Sequence, residues 1–284
     1  MTKTVVIGAG SLLGRHLVPL LAETCDVEAF DRRTLDLSGP LDIAALPHKA
    51  DAVIYLAQSN RYREFPVGAD DVFRINTAQP LALLDYARRA GASNFVYAST
   101  GGVYGAGGSQ LSEDAPTPPP GQSLGFYPAS KLAAELLAKA YEPYFNVALL
   151  RYFFIFGPGQ KAGMLIPRII DSVRGGKEIS LQGADGLRIN PVHAADAARA
   201  TAAAARLDRS ATINVAGAQV VSLRQIGGIA GRALDRSPVF KIDEASTQVA
   251  LTADIARMKE LLVEPTCDFE AGLVSLIAAS GETQ

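Results

Sequence analysis

Thr4-Val-Val-Ile7, followed at once by Gly8-Ala-Gly10-Ser11-Leu12-Leu13-Gly14, constrains this chain more than any other stretch. The short apolar run suits a strand buried on both faces. From Leu12 to Leu21 apolar residues recur at helical spacing. Gly8 permits the tight turn between strand and helix, Gly10 lets backbone approach a phosphate, and Gly14 lets the helix pack closely on the sheet. The helix start, at Ser11, Leu12 and Leu13, offers free N–H groups and a positive dipole to a pyrophosphate. Val27 to Phe30 reads as a second strand, closed by Asp31 at the distance where an acidic group bonds the adenine ribose hydroxyls. A carboxylate there repels the extra phosphate of NADP, so NAD is favoured. Arg32 and Arg33 could receive that phosphate, which leaves NADP as the lesser alternative.

Further strands are expected at Ala52–Leu56, Asn94–Ala98 and Val147–Leu150, with helices at Pro80–Ala90, stopped by Gly91, and at Ser130–Ala140. Strands alternating with helices argue for an α/β fold, a doubly wound parallel sheet with helices on both faces. After Gly157 the alternation weakens.

Tyr127 and Lys131 lie four residues apart where the sequence reads as the start of a helix, so both fall on one face. An ammonium beside a phenol favours the phenolate, and such a tyrosine can exchange a proton with a hydroxyl. Ser99 and Thr100 follow the strand at 94–98 and place hydroxyls where a reacting oxygen needs donors.

The 284 residues carry a net charge of −2, which gives no basic footprint for nucleic acid. No apolar run is long enough to span a membrane. Arg15 and His16 interrupt the N-terminal apolar stretch, so it reads as strand and turn rather than a signal peptide. Cys25 and Cys267 lie far apart without metal-site spacing and read as reduced thiols of a cytoplasmic protein. His16, His48 and His193 form no ligand cluster, and no metal is expected.

At this point the chain resembles the extended short-chain dehydrogenase/reductases, the NAD-dependent epimerase/dehydratase family. Gly8-x-x-Ser11-x-x-Gly14 resembles the family's glycine turn, with Ser11 at the middle glycine. Asp36-Leu37 resembles the pair that reads the adenine, and Leu56-Ala57, with Gln58 after it, the lining of the cofactor channel. Asn76 opens a helix that the family also begins with Asn. Ala98-Ser99-Thr100-Gly101-Gly102-Val-Tyr104-Gly105 resembles the catalytic strand end, and Tyr127 and Lys131 the catalytic pair. Leu150-Arg151-Tyr152-Phe153 through Gly159 resembles the segment under the nicotinamide, and Arg188 to Asp196 a later family block.

The resemblance implies a Rossmann domain at 1–157 with a return near 188–216, and a smaller substrate domain from 158–187 and 217–284. It also implies a homodimer built from the helices near 80–90 and 130–141. The implied chemistry is hydride transfer at a carbinol carbon, with Tyr127 as acid or base. Lys131 would lower the tyrosine's pKa and hold the nicotinamide ribose. Thr100, or Ser99 in its place, would bond the reacting oxygen.

Gly101 and Gly102 occupy positions where the family's dehydratases and decarboxylases carry acidic residues, so those reactions are disfavoured. A nucleotide-sugar epimerase or 4-keto-reductase is the first reading. Phe154 stands where nucleotide-sugar enzymes usually have Asn, and 241–248 lacks their Arg motif. Arg188 or Arg168 could compensate by contacting phosphate. The alternative is a dehydrogenase or reductase of a free sugar, lactone or other small carbonyl compound. A non-catalytic NAD(P) sensor is a third reading, which the intact Thr100, Tyr127 and Lys131 oppose.

Overall fold

The computed structural model describes residues 2–119, 121 and 124–281. In chain order the first half consists of β1 (Lys3–Ile7), α1 (Leu12–Ala22), β2 (Asp26–Phe30), β3 (Ala52–Tyr55), α2 (Ala69–Phe73), α3 (Gln79–Ala90), β4 (Asn94–Thr100), β5 (Gly108–Leu111), α4 (Phe126–Lys139) and β6 (Asn146–Tyr152). The second half adds α5 (Leu165–Arg174), β7 (Glu178–Gln182), β8 (Arg188–Ile189), α6 (Ala194–Ala204), β9 (Ala211–Val215), β10 (Val221–Ser222), α7 (Leu223–Leu234), β11 (Val239–Asp243), β12 (Ala250–Ala253), α8 (Ala256–Leu261) and α9 (Phe269–Gly281).

Six strands form one parallel sheet in the order β2-β1-β3-β4-β6-β9. Successive residues of each strand point to opposite faces. Val6, Ile54, Val96, Ala98 and Leu150 meet Leu13 and Leu17 of α1 and the alanine-rich inner side of α6. Val5, Val53, Tyr55, Phe95 and Tyr97 meet Leu83, Leu84 and Ala87 of α3 and Ala134 and Ala138 of α4. The strand order reverses between β1 and β3, which is where doubly wound sheets bind ligands, beyond the carboxyl ends of the strands.

Both edges of this sheet are covered by charge. On β2, Asp26 and Glu28 pair with Lys3 at 3.0 and 2.6 Å. On β9, Asn214 N donates to Glu113 at 2.8 Å, and Arg257 donates to the Thr212 carbonyl at 3.2 Å.

Phe156, Ile166, Ile170, Leu181, Ile226 and Leu273 gather in a separate core cluster drawn from α5, β7, α7 and α9. The remaining strands form a four-stranded sheet, β10-β8-β12-β5, and a parallel pair, β11-β7. Among the described residues no helix is long and apolar enough to cross a membrane.

Two local features differ from the expectations. Helix α4 begins at Phe126, not Ser130, so Tyr127 stands in its first turn. Pro128 fits there because a helix's first turn has no use for its N–H. Between α2 and α3, residues Arg74–Ala78 form a π-helical turn that carries Asn76.

Candidate active site

The glycine turn is fixed from below. Gly8 N and Ala9 N both donate to the Phe30 carbonyl, at 2.8 and 3.0 Å. Gly8 has φ +93°, and a Cβ there would stand 2.7 Å from Ala57 N, so only glycine fits. Ser11 caps α1, its hydroxyl accepting from Gly14 N at 3.0 Å. The N–H groups of Leu12 and Leu13 have no intrahelical acceptor, since they lie in the first turn.

Asp31 faces this turn, its Oδ2 3.7 Å from where a Cβ on Gly10 would stand. Its Oδ1 accepts from Arg33 N at 2.8 Å and Thr34 N at 3.3 Å. Those backbone donors hold its pKa below the usual carboxylate value, so it is ionised at neutral pH. Arg32 is exposed. Both carboxylate oxygens of Asp36 accept from Ser38, each at 2.9 Å. Leu37 packs against the core, and its carbonyl receives Gln79 Nε2 at 2.9 Å.

At the carboxyl end of β4, the Thr100 side chain lies beside the Tyr127 hydroxyl and accepts from Gly102 N at 3.1 Å. The Tyr127 hydroxyl donates to Gln58 Oε1 at 2.9 Å. Burial pushes the Tyr127 pKa up to about 12; Thr100 pulls against this and Tyr62 adds to it. The expected lowering by Lys131 is therefore corrected. Lys131 Nζ donates to the Ala98 carbonyl at 2.8 Å and lies 4.9 Å from the centre of the Tyr97 ring. Burial lowers its own pKa to about 7, against the pull of Glu135, so its charge is only partial at neutral pH.

Ser99 is not available to a substrate in this arrangement. Alternation along β4 turns it toward α4, where its hydroxyl bonds Glu135. Glu135 also receives Arg151, whose Nη1 donates to Tyr104 Oη at 2.9 Å. Tyr104 in turn donates to Asn214 at 2.8 Å. This buried chain ties β4, α4, β6 and β9 together. Asn76, fully buried, accepts from Ser59 N at 3.1 Å and donates to Ser130 Oγ at 3.1 Å. It braces the loop after β3 against the start of α4.

A family model described as "NAD dependent epimerase/dehydratase family" matches residues 4–216, three quarters of the sequence. The chain belongs to this family.

Among its relatives is UDP-glucose 4-epimerase of Azospirillum brasilense, 31% identical over 188 residues; the alignment covers 58% of this chain and 53% of that enzyme, about half its length. Among solved structures, MoeE5 in complex with UDP-glucose and NAD superposes with a TM-score of 0.83 at 26% identity, covering 99% of both chains. UDP-glucuronic acid 4-epimerase from Bacillus cereus in complex with NAD gives 0.84 at 21% identity, covering 100% of this chain and 97% of that one, and shows the shared fold.

In this epimerase/dehydratase-family chain, several expected cofactor or substrate residues have interior roles. Leu56 is buried, and Ala57 packs against the core on the opposite face of the sheet. Tyr152 is buried on the α1/α6 side and shares a hydrogen bond of 2.7 Å with Thr201. Phe153 is buried, its ring against Gly101; a Cβ on that glycine would lie 2.7 Å from ring atoms. Phe154 is partly buried between two core clusters, with φ +47°. A bulky side chain rarely adopts this backbone, which costs about 1–2 kcal/mol. Arg188 and Arg168 are exposed.

Glu135 and Tyr62 were not singled out from sequence. Glu135 had a signal, since it follows Lys131 by four residues and shares its inward face. Tyr62 had none, because its partners come from segments about 65 and 100 residues away.

Proposed function

We propose that this protein is an NAD-dependent nucleotide-sugar epimerase or 4-keto-reductase in which Tyr127 exchanges a proton with a sugar hydroxyl. The observation that carries the reading is the Tyr127 hydroxyl, bonded to Gln58 and beside Thr100 at the carboxyl end of β4, in a chain of this family. Nucleotide sugars are the ligands named for relatives of similar fold, UDP-glucose among them.

The glycine turn fits a dinucleotide. The backbone at Gly8, Gly10 and Ser11, with the N–H groups of Leu12 and Leu13, would hold the pyrophosphate. Asp31 would bond the adenine ribose, which suits NAD over NADP. Bound there, NAD supplies the oxidation and reduction chemistry. Tyr127 Oη takes or returns the hydroxyl proton, and Thr100 Oγ1 bonds the same oxygen and orients it. Lys131 would hold the nicotinamide ribose. The protein's barrier-lowering work is thus orientation plus proton transfer at one oxygen.

Residues 158–187 and 217–284 would form the substrate-binding part, with Arg188 and Phe154 at its border. Exposed Phe73, Leu81, Leu136 and Leu137 on α2, α3 and α4 support a homodimer through those helices. The unpaired thiols Cys25 and Cys267 are in keeping with the cytoplasm.

A second reading, a dehydrogenase or reductase of a free sugar or small carbonyl compound, is favoured by Phe154, whose aromatic side chain is held in a left-handed backbone. A thermal-shift panel on NAD-loaded protein with UDP, dTDP, GDP and CDP separates the two. Stabilisation by one diphosphate supports the nucleotide-sugar reading. No stabilisation by any of them overturns it in favour of the second. Incubation of the matching nucleotide sugar, with product stereochemistry read by NMR, then distinguishes epimerase from reductase.

A further inference from the structure

The segment between β3 and α2 touches the candidate acid/base twice. Gln58 accepts from the Tyr127 hydroxyl, and the Tyr62 ring lies against the Tyr127 ring, centroids 5.2 Å apart. Close by, Phe65 stacks on Phe126 at 5.0 Å. The base of this segment is fixed: Ser59 is bonded to Asn76 and Asp71, and Arg61 N donates to Ser59 Oγ.

Its outer part is tied to the segment that follows β6. Lys161 Nζ donates to Asn60 Oδ1 at 2.7 Å, and Arg63 donates to the Gly163 carbonyl at 2.9 Å. The Tyr62 hydroxyl reaches Met164 Sδ at 3.4 Å, while the Arg63 guanidinium lies 5.1 Å from the centre of the Tyr62 ring. The polar ties are exposed contacts, each weak alone and screened by water. Together they form a strap from residue 58 to 64, clasped to 161–164, with Tyr62 at its centre.

We propose that Tyr62 is a positioning residue for Tyr127, its ring fixing the phenol's orientation and narrowing water's access to the partly exposed hydroxyl while the strap is clasped. This rests on the reading of Tyr127 as the acid/base. The other groups facing Tyr127 are Thr100 and Tyr97 from β4, Gln58 from the strap, and Lys131 one turn further along α4. Gln58 acts by a hydrogen bond to the phenol, and Thr100 lies beside it. Tyr62 acts by exclusion, so removing its ring admits water and lets the phenolate be solvated.

The test uses Tyr62→Leu and Tyr62→Phe in the full chain, labelled with 13Cζ-tyrosine, with the Tyr127 signal assigned by its loss in Tyr127→Phe. In the wild type Tyr127 keeps its proton well above neutral pH, its pKa pushed up to about 12, whereas in Tyr62→Leu its ionisation moves down by about one pH unit. Turnover of Tyr62→Leu falls about tenfold, with KM changed far less, as expected for a misoriented acid/base. Tyr62→Phe, which keeps the ring, recovers the titration and most of the turnover. Met164→Leu, which cuts the anchor without touching the ring, moves both readouts part of the way. An unchanged Tyr127 titration in Tyr62→Leu overturns the proposal. A fully active Tyr127→Phe overturns the acid/base reading instead, and the titration still reports whether Tyr62 shields Tyr127.

Discussion

Glu135 and Arg151 meet in the interior with Oε2 and Nη2 2.7 Å apart and side-chain exposures of 1% and 4%. The carboxylate also receives Arg151 Nε at 3.1 Å and the Ser99 hydroxyl. This pair joins α4, which carries Tyr127 and Lys131, to β6 and to the end of β4 that carries Thr100. The geometry around Tyr127 and Thr100 therefore depends on a buried ion pair that faces away from them.

Removing one partner should be costly, because the other charge stays behind in a dry environment. Arg151→Met is expected to lower unfolding free energy by about 3–5 kcal/mol, read by urea denaturation. The double variant Arg151→Met, Glu135→Leu should recover part of that loss. Equal loss in single and double variants would show that packing, not stranded charge, sets the cost.

Lys131 gives the protein a stability gradient with pH. Its folded pKa is lowered to about 7 from the unfolded value of 10.5. Between those values the unfolded chain binds more protons, so stability rises with pH. The cost of burying the ammonium is felt below pH 7 and relieved as pH rises through the folded pKa. The slope approaches about 1.4 kcal/mol per pH unit. Urea midpoints of wild type and Lys131→Met between pH 7.5 and 9.5 should diverge, the variant staying flatter. Parallel curves would disprove it.

Asp31 should govern cofactor affinity. A charged hydrogen bond is worth about 1.5–3 kcal/mol, so Asp31→Ala is expected to weaken NAD binding roughly 10- to 100-fold by calorimetry. Because the same carboxylate caps its own turn, a small drop in melting temperature should accompany this. An unchanged Kd for NAD would remove Asp31 from the binding site.

Tyr127→Phe keeps the ring and its packing and deletes only the hydroxyl. Turnover should fall about 10²–10⁴-fold, the range for losing an acid/base, while NAD binding is retained. Thr100→Val should lose less, since it removes an orienting bond rather than the proton carrier. Full activity of Tyr127→Phe would require another group to move the proton.

The parallel sheet, the glycine turn and the Tyr–Lys pair were legible because each is written in contiguous residues with a fixed period. What escaped was decided by contacts distant in sequence. The spacing of Tyr127 and Lys131 is that of a shared helix face, and their partners, the Ala98 carbonyl for Lys131 and Gln58 for Tyr127, come from segments distant in sequence. Ser99 and Thr100 are adjacent in sequence, and the pleat alone sends the first to Glu135.

The charged margins of the large sheet bear on how this protein behaves in a crowded solution. Strand edges with free amides invite copies to stack into fibrils, and Lys3 with Glu28 on one flank and Glu113 with Arg257 on the other occupy that territory. Neutralising Glu28, whose side chain stands in solvent, would uncover the β2 rim on a molecule whose interior is untouched. Such a variant would be expected to denature no sooner than its parent in dilute solution and to cloud at concentrations where the parent stays clear.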